Sequence, residues 1–337
     1  MIEQESSPFF SIIIPVYNTS NTVNRTVLSV INQSFSNIEV IIVDDCSTDD
    51  SLEILRTYEI RDKRVKVIHH EKNEGSLVSR ITGMKQAVGK YVLFLDSDDW
   101  LELNSCEILH SELNIRPVEM LEFGYIREPK KRKYPMPKIK NPTVKDVLLN
   151  SYPVTFWNKV YCLELIKRSL LHFKEFYCTN LEDGYFTIYF LALCKSYRKI
   201  NKYLHHYMTG TGISTRNNYS SEKIVSISLS YKNALEEVYS FLKDNSKDIF
   251  EYYKYFNDNQ IESLCNICTA DTLSFDKQIE NLIISYDIIK DDIILSRIKI
   301  LKKNQCSFIK LQHAGRKKKW FYYLRACIFD YLSYMNK

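Results

Sequence analysis

The chain has 337 residues, room for one sizeable domain and an appended one. Its 46 basic and 41 acidic residues leave a net charge of +5. That balance is too even to mark a nucleic-acid partner, although positive charge gathers in residues 130–140 and 316–319. Nine scattered cysteines do not read as a disulfide framework and favour a reducing, cytoplasmic compartment. No secretory leader pattern opens the chain, and no apolar run reaches the roughly 18 residues of a spanning helix.

Residues 11–16 (Ser-Ile-Ile-Ile-Pro-Val) form an apolar, β-branched run that predicts a strand ending at Pro15, Tyr17 and Asn18. Val23, Val27 and Ile31 then recur on one face of a helix. Residues 39–43 are the next apolar run and lead into Asp44-Asp45. Ser47 to Asp50 offer helix caps ahead of Leu52 and Leu55. Residues 65–68 predict a third strand, and Leu77, Ile81, Met84 and Val88 a helical stripe broken at Gly89. Residues 91–95 (Tyr-Val-Leu-Phe-Leu) close the series and run into Asp96, Asp98 and Asp99. Strands alternating with helices predict a parallel sheet with right-handed crossovers.

Acids at the ends of two such strands would meet in one crevice, where open α/β sheets hold ligands. Crowded carboxylates repel unless something positive compensates. Mg²⁺ commonly takes one or two carboxylates together with substrate phosphates. The cluster therefore predicts a metal-bridged diphosphate at the sheet edge. The plainer alternative is a solvated acidic turn.

In order and spacing, residues 9–102 resemble a family 2 glycosyltransferase. The matching residues are Ile14-Pro15-Val16-Tyr17-Asn18, Glu39-Val40-Ile41-Ile42-Val43-Asp44-Asp45-Cys46-Ser47, Asn73-Glu74-Gly75 with Ser79-Arg80, Ala87-Val88-Gly89-Lys90-Tyr91, and Leu95-Asp96-Ser97-Asp98-Asp99. The resemblance implies an α/β GT-A fold, a Rossmann-like, mostly parallel sheet that binds nucleotide-diphospho-sugars. It would occupy residues 1–218, with a donor half at 9–102 and an acceptor and catalytic half at 103–218. Residues 219–337 would form a mainly helical extension. Pro15, Val16, Tyr17 and Asn18 would lie along the nucleotide, and Asp45 would accept from uracil N3–H. Arg80 would face the diphosphate, unless it is merely a helix-surface residue. Asp96, Ser97 and Asp98 occupy the D-x-D positions and would touch ribose and metal, with Asp99 sharing the metal. Cys46 stands where Gly is common, and a Cβ restricts φ at that turn.

Further on, Phe156-Trp157-Asn158-Lys159-Val160-Tyr161 resembles a segment near the acceptor side of such enzymes, which implicates Trp157 and Lys159. Glu182-Asp183 resembles the acid pair that supplies the base in inverting members. A sugar hydroxyl is a weak nucleophile, and a positioned carboxylate can take its proton in the transition state. Asp183 is the first candidate and Glu182 the second; a helix N-terminal acid pair is the plain alternative. Residues 205–214, His-His followed by a small-residue loop, resemble the segment after the base. His206 is there a candidate further metal ligand, or a purely structural histidine. Cys265 and Cys268 form an isolated C-x-x-C with no second pair at zinc spacing. Residues 315–324 join basic to aromatic residues, which suits an anionic membrane surface, so 315–337 is a candidate peripheral contact at the inner face of the plasma membrane.

The resemblance thus implies an enzyme moving a sugar from a nucleotide-diphosphate donor, a UDP-sugar by first choice, to a hydroxyl of a glycan or lipid-linked glycan. Mg²⁺ or Mn²⁺ would assist. The setting would be bacterial surface polysaccharide synthesis of capsule, lipooligosaccharide or O-antigen type. The alternatives are a catalytically inactive glycan- or membrane-binding module, or a sugar nucleotidylyltransferase-like enzyme. The latter calls for a glycine-rich loop after the first strand, and Pro15 to Asn18 contain no glycine. The missing G-x-G-x-x-G disfavours a nicotinamide dehydrogenase.

Overall fold

The computed structural model describes residues 7–135, 138–178, 180–210, 220–245, 251–269 and 273–313. Its centre is a sheet in the order β3-β2-β1-β4-β8-β6-β9-β5. Strands β1 (Phe10–Val16), β2 (Ile38–Asp44), β3 (Val65–His69) and β4 (Tyr91–Phe94) pair in parallel. Ile12, Ile13 and Ile14 of β1 and Val40 to Val43 of β2 are fully buried. Burial on both faces is why these strands read as continuous apolar runs.

Helices α1 (Val23–Ile31), α2 (Ser51–Arg61) and α3 (Ser76–Gln86) connect these strands. The chain winds outward from β1 through β2 to β3, and α3 then carries it back to β4 on the other side of β1. The winding reverses between β1 and β4, so their C-terminal ends flank the switch point, where ligands bind. Packing of α3 on β1 is close: a Cβ on Gly83 would stand 2.4 Å from Ile13 Cγ2. Val88, expected to continue the stripe of α3, lies beyond its last turn and is exposed.

Beyond β4 the sheet continues as a mixed one. Strand β8 (Lys159–Cys162) runs antiparallel between β4 and β6 (Met120–Glu128), and β6 pairs in parallel with β9 (Tyr197–Met208). Short strands β5 (Trp100–Leu101) and β7 (Arg132–Tyr134) pair with β9 and β6. Helices α4 (Ser105–Ile115), α5 (Val144–Leu148), α6 (Leu163–Leu170) and α7 (Glu182–Leu193) complete this part. Tyr185, Phe186, Ile188, Tyr189 and Phe190 of α7 are all buried. A helix apolar all round belongs in a core.

The chain divides into two compact units, Met1–Arg216 with Asn233–Phe256, and Asn217–Lys232 with Asn257–Lys337. The division runs through α8 (Ser221–Asn245). The second unit also holds α9 (Tyr253–Cys268, from Asn257 onward), α10 (Phe275–Ile289) and α11 (Asp292–His313). Cys265 and Cys268 are fully buried there, and Cys268 Sγ lies 3.2 Å from Ser285 Oγ. Burial pushes both thiols up, to about 12 and about 11, so they act as core residues. Among the described residues, no helix is long and apolar enough to cross a membrane. The tail at 315–337 lies outside the described residues.

Candidate active site

Three strand ends build the site. At the end of β1, Asn18 takes a left-handed φ of 52°. Its Oδ1 accepts from Thr48 N at 2.7 Å, and its own N–H donates to Ser47 Oγ at 3.0 Å. This knits the loop of Pro15, Val16, Tyr17 and Asn18 to the turn after β2. Cys46 in that turn also takes a left-handed φ, 62°. The conformation glycine would supply is therefore kept despite the Cβ, at a backbone cost.

At the end of β2, two adjacent acids meet two adjacent histidines at the end of β3, His69 in the strand and His70 just beyond it. His69 Nδ1 is 2.8 Å from Asp44 Oδ2, and His70 Nδ1 is 2.8 Å from Asp45 Oδ1. Asp45 also accepts from the backbone N–H groups of Glu74 and Gly75, at 2.9 and 2.8 Å. Gly75 has φ 88°, and a Cβ there would press on the Cys178 backbone at 3.0 Å. Asp45 therefore holds the loop that launches α3. The acceptor left over is Asp44 Oδ1, buried with no hydrogen-bond partner. Sequence reasoning overlooked Asp44, although facing Asp-Asp and His-His pairs at neighbouring strand ends are a readable signal.

At the end of β4, the turn is fixed through its carbonyls. The Thr22 and Thr26 hydroxyls lie 3.0 and 2.9 Å from Ser97 O, and Arg25 Nη2 donates to Asp98 O at 2.6 Å. Asp96 and Asp98 stay partly exposed, while Ser97 and Asp99 are buried. Asp99 accepts from Met208 N–H at 2.7 Å and lies 2.8 Å from His205 Nε2. Burial, then Asp96 and Asp98, raise its carboxyl well above the usual range, while burial pushes the His205 imidazole down to about 3. The ring nitrogens of His206 lie 3.0 Å from Glu128 and 2.9 Å from Glu102, and the ring stacks on Trp100 at 4.8 Å. Asp99 and His206 are thus held by internal contacts. Among the described residues, no three His, Cys, Asp or Glu side chains are arranged to hold a metal ion.

Arg80 is buried. Its Nη2 donates to Asp96 Oδ1 at 2.6 Å and its Nη1 to Glu182 Oε1 at 3.3 Å. Burial opposes the charge, but Asp96, Glu182 and Asp183 outweigh it and raise the guanidinium pKa. Ser76, one helical turn before Arg80 on α3, donates to the same Glu182 oxygen at 2.6 Å. The donor half and the acid pair at the head of α7 are therefore joined directly.

Asp183, the next residue, is half-buried, and no hydrogen bond or ion pair with a described residue occupies its carboxylate. Burial raises its pKa well above the usual range and Glu182 adds to this; Arg80 pulls it down, Asp96 raises it, and Lys159 lowers it. Lys159 itself is buried. It donates to Thr155 O and to Asn158 Oδ1, and lies 3.4 Å from buried Glu122. Tyr152 and Tyr197 also donate to Glu122. Trp157 is buried too, stacked on Tyr207 at 5.0 Å. Neither Lys159 nor Trp157 presents an open surface. Gly212, Ile213 and Ser214 lie outside the described residues.

A switch-point crevice lined by strand-end carboxylates, beside a second acid pair on a mixed sheet, defines the GT-A class of nucleotide-diphospho-sugar transferases. Residues 11–172 match the family described as glycosyl transferase family 2, and this region belongs to that family.

The relatives agree. An uncharacterized glycosyltransferase of Haemophilus influenzae is 45% identical over 100 residues, covering 30% of this chain and 40% of that one. A putative teichuronic acid biosynthesis glycosyltransferase of Bacillus subtilis, TuaG, is 48% identical over 92 residues, covering 27% and 36%. The putative glycosyltransferase EpsH of Bacillus subtilis is 32% identical over 212 residues, covering 60% and 61%. The chain thus spans less than half the length of the first two relatives. Among solved structures, Staphylococcus aureus TarS 1-349 in complex with UDP-GlcNAc is similar in fold, with a TM-score of 0.56 at 21% identity over 88% of this chain and 91% of that one.

Proposed function

We propose that the protein transfers a sugar from a UDP-sugar to a hydroxyl of a glycan acceptor, with inversion and with Asp183 as general base. One observation carries this reading. Among the described residues Asp183 has no hydrogen-bond or ion-pair partner, while its neighbour Glu182 is tied to Ser76 and Arg80. The UDP complex of the structural neighbour and the pathway named for TuaG support a UDP donor and a surface polysaccharide setting. The basic-aromatic pattern of 315–337 supports a lipid-linked acceptor at the cytoplasmic membrane face.

The residues fit a divalent cation of the Mg²⁺ or Mn²⁺ kind, because such a cation takes one or two carboxylates and completes its sphere with phosphates and water. Asp98 is the carboxylate of this turn placed to share it, since Asp96 is paired with Arg80 and Asp99 is buried. Bound there, the cation would offset charge developing on the leaving diphosphate. The protein's own part is to hold the turn at Asp98, to fix Glu182, and to keep Asp183 free for the acceptor proton.

The test is thermal and catalytic. UDP with Mn²⁺ is expected to raise the melting temperature, and a screen of UDP-sugars is expected to find one that the protein hydrolyses. No stabilisation by UDP and no hydrolysis of any donor would reject the reading.

A further inference from the structure

We propose that the face formed by β6, β7 and the end of β9 is the acceptor subsite, and that it takes a glycan carrying phosphate or carboxylate groups. This rests on the reading of Asp183 as the base. The face begins at Tyr207, which stacks on Trp157 at 5.0 Å and is paired across the sheet with Arg127. Tyr207 also feels the charges of Asp99, Asp96, Asp183 and Asp98, so it borders the carboxylate site. From there aromatic rings run outward. Tyr125 meets Tyr207 edge-on at 6.2 Å and lies parallel to Tyr134 at 5.1 Å. Partly exposed rings in sequence suit the apolar C–H faces of successive sugars.

The outer end of this path is basic. Arg132 sits 5.1 Å over the Tyr134 ring, and Lys133 sits 5.1 Å over Tyr203. Arg127, Lys130 and Lys131 are exposed alongside. The lone acid of residues 127–133, Glu128, is buried and held by His206, so it neutralises none of them.

An acceptor reaching Asp183 must approach a group of acids. A neutral glycan needs no counter-charge for that approach, whereas an anionic one needs cations along its path. Arg132, stacked on Tyr134, and exposed Arg127 supply them and match phosphate or carboxylate oxygens with forked donors. A membrane surface is the weaker reading, since Tyr125 and Tyr207 are partly buried in the sheet and do not protrude toward a bilayer.

The experiment measures binding to the full chain at low salt, by calorimetry, for four probes. These are a phosphodiester-linked polyol oligomer, an oligogalacturonate, a neutral maltooligosaccharide of equal length, and phosphatidylglycerol vesicles. Both anionic oligomers are expected to bind at least about tenfold more tightly than the neutral one. The double variant Arg127→Gln/Arg132→Gln, checked for an unchanged melting curve, is expected to lose roughly tenfold in that affinity, the scale of one or two charge-assisted contacts. Tyr134→Ala is expected to weaken all the oligomers. A preference for one anionic oligomer supports the proposal and names the charged group. Equal binding of the neutral oligomer, undiminished affinity in the double variant, or hairpin-dependent binding of vesicles alone would overturn it. The UDP-dependent melting shift, measured in parallel, reports on the donor reading, and its absence would strike that reading without mimicking any of these results.

Discussion

Arg80 Nη2 lies 2.6 Å from Asp96 Oδ1, so the first acid of the strand-end turn is compensated from inside the protein. Asp98, two residues on, is partly exposed, while its carbonyl is held by Arg25. The two acids of one D-x-D turn therefore have different duties. Asp96 anchors the turn to α3, and Asp98 keeps part of its surface exposed.

This division predicts the behaviour of Asp98→Asn. The fold should survive, because the carboxylate is not buried, and the Mn²⁺-dependent part of UDP stabilisation should fall sharply. Transfer in excess chelator is the companion measurement. Full activity of the variant, or turnover indifferent to chelator, would show that Asp98 holds no metal.

Asp183→Asn should leave UDP stabilisation intact and lower transfer by roughly 10²-fold or more, the usual scale for a general base. Retained transfer in this variant, with loss in Glu182→Gln, would move the role by one residue.

The pH profile offers a separate check. Burial and Glu182 hold the Asp183 carboxyl above the ordinary range. A base works when ionised, so the rate should rise as pH climbs through that raised value. Glu182→Gln removes a neighbour that pushes it up, so the acid limb of kcat/KM should move to lower pH. Lys159→Met removes a charge that pulls it down, so the limb should move to higher pH. Limbs that stay in place in both variants would mean another group titrates.

Asp99→Ala should destabilise the fold by about 1–3 kcal/mol, since it strands the buried His205 ring and the Met208 N–H. Urea unfolding measures this. A loss below about 0.5 kcal/mol, the size expected at a surface position, would contradict the buried placement.

The parallel half was legible in the sequence for a physical reason. Strands β1, β2 and β4 are buried on both faces and so spell continuous apolar runs, and the acids that follow them stand at switch-point ends. What sequence pattern could not supply is which acid meets which partner. Asp98 and Asp99 are neighbours of one chemical type, yet one is partly exposed and the other is locked to His205 across the sheet. Lys159 is implicated only through the resemblance of its segment. Its burial depends on Glu122, a residue on a different strand. The mixed pairing of β8 was hidden as well, since four residues carry too little pattern to reveal strand direction.

The Arg80–Glu182 contact spans 102 positions of chain. During synthesis Arg80 emerges long before its partner, with a guanidinium that the finished fold will enclose. Contacts of such sequence separation form late and slow folding. The nucleotide half therefore cannot settle into its final form until α7 has arrived. A ribosome stalled between them would expose an unfinished crevice in which Arg80 has met Asp96 but not Glu182.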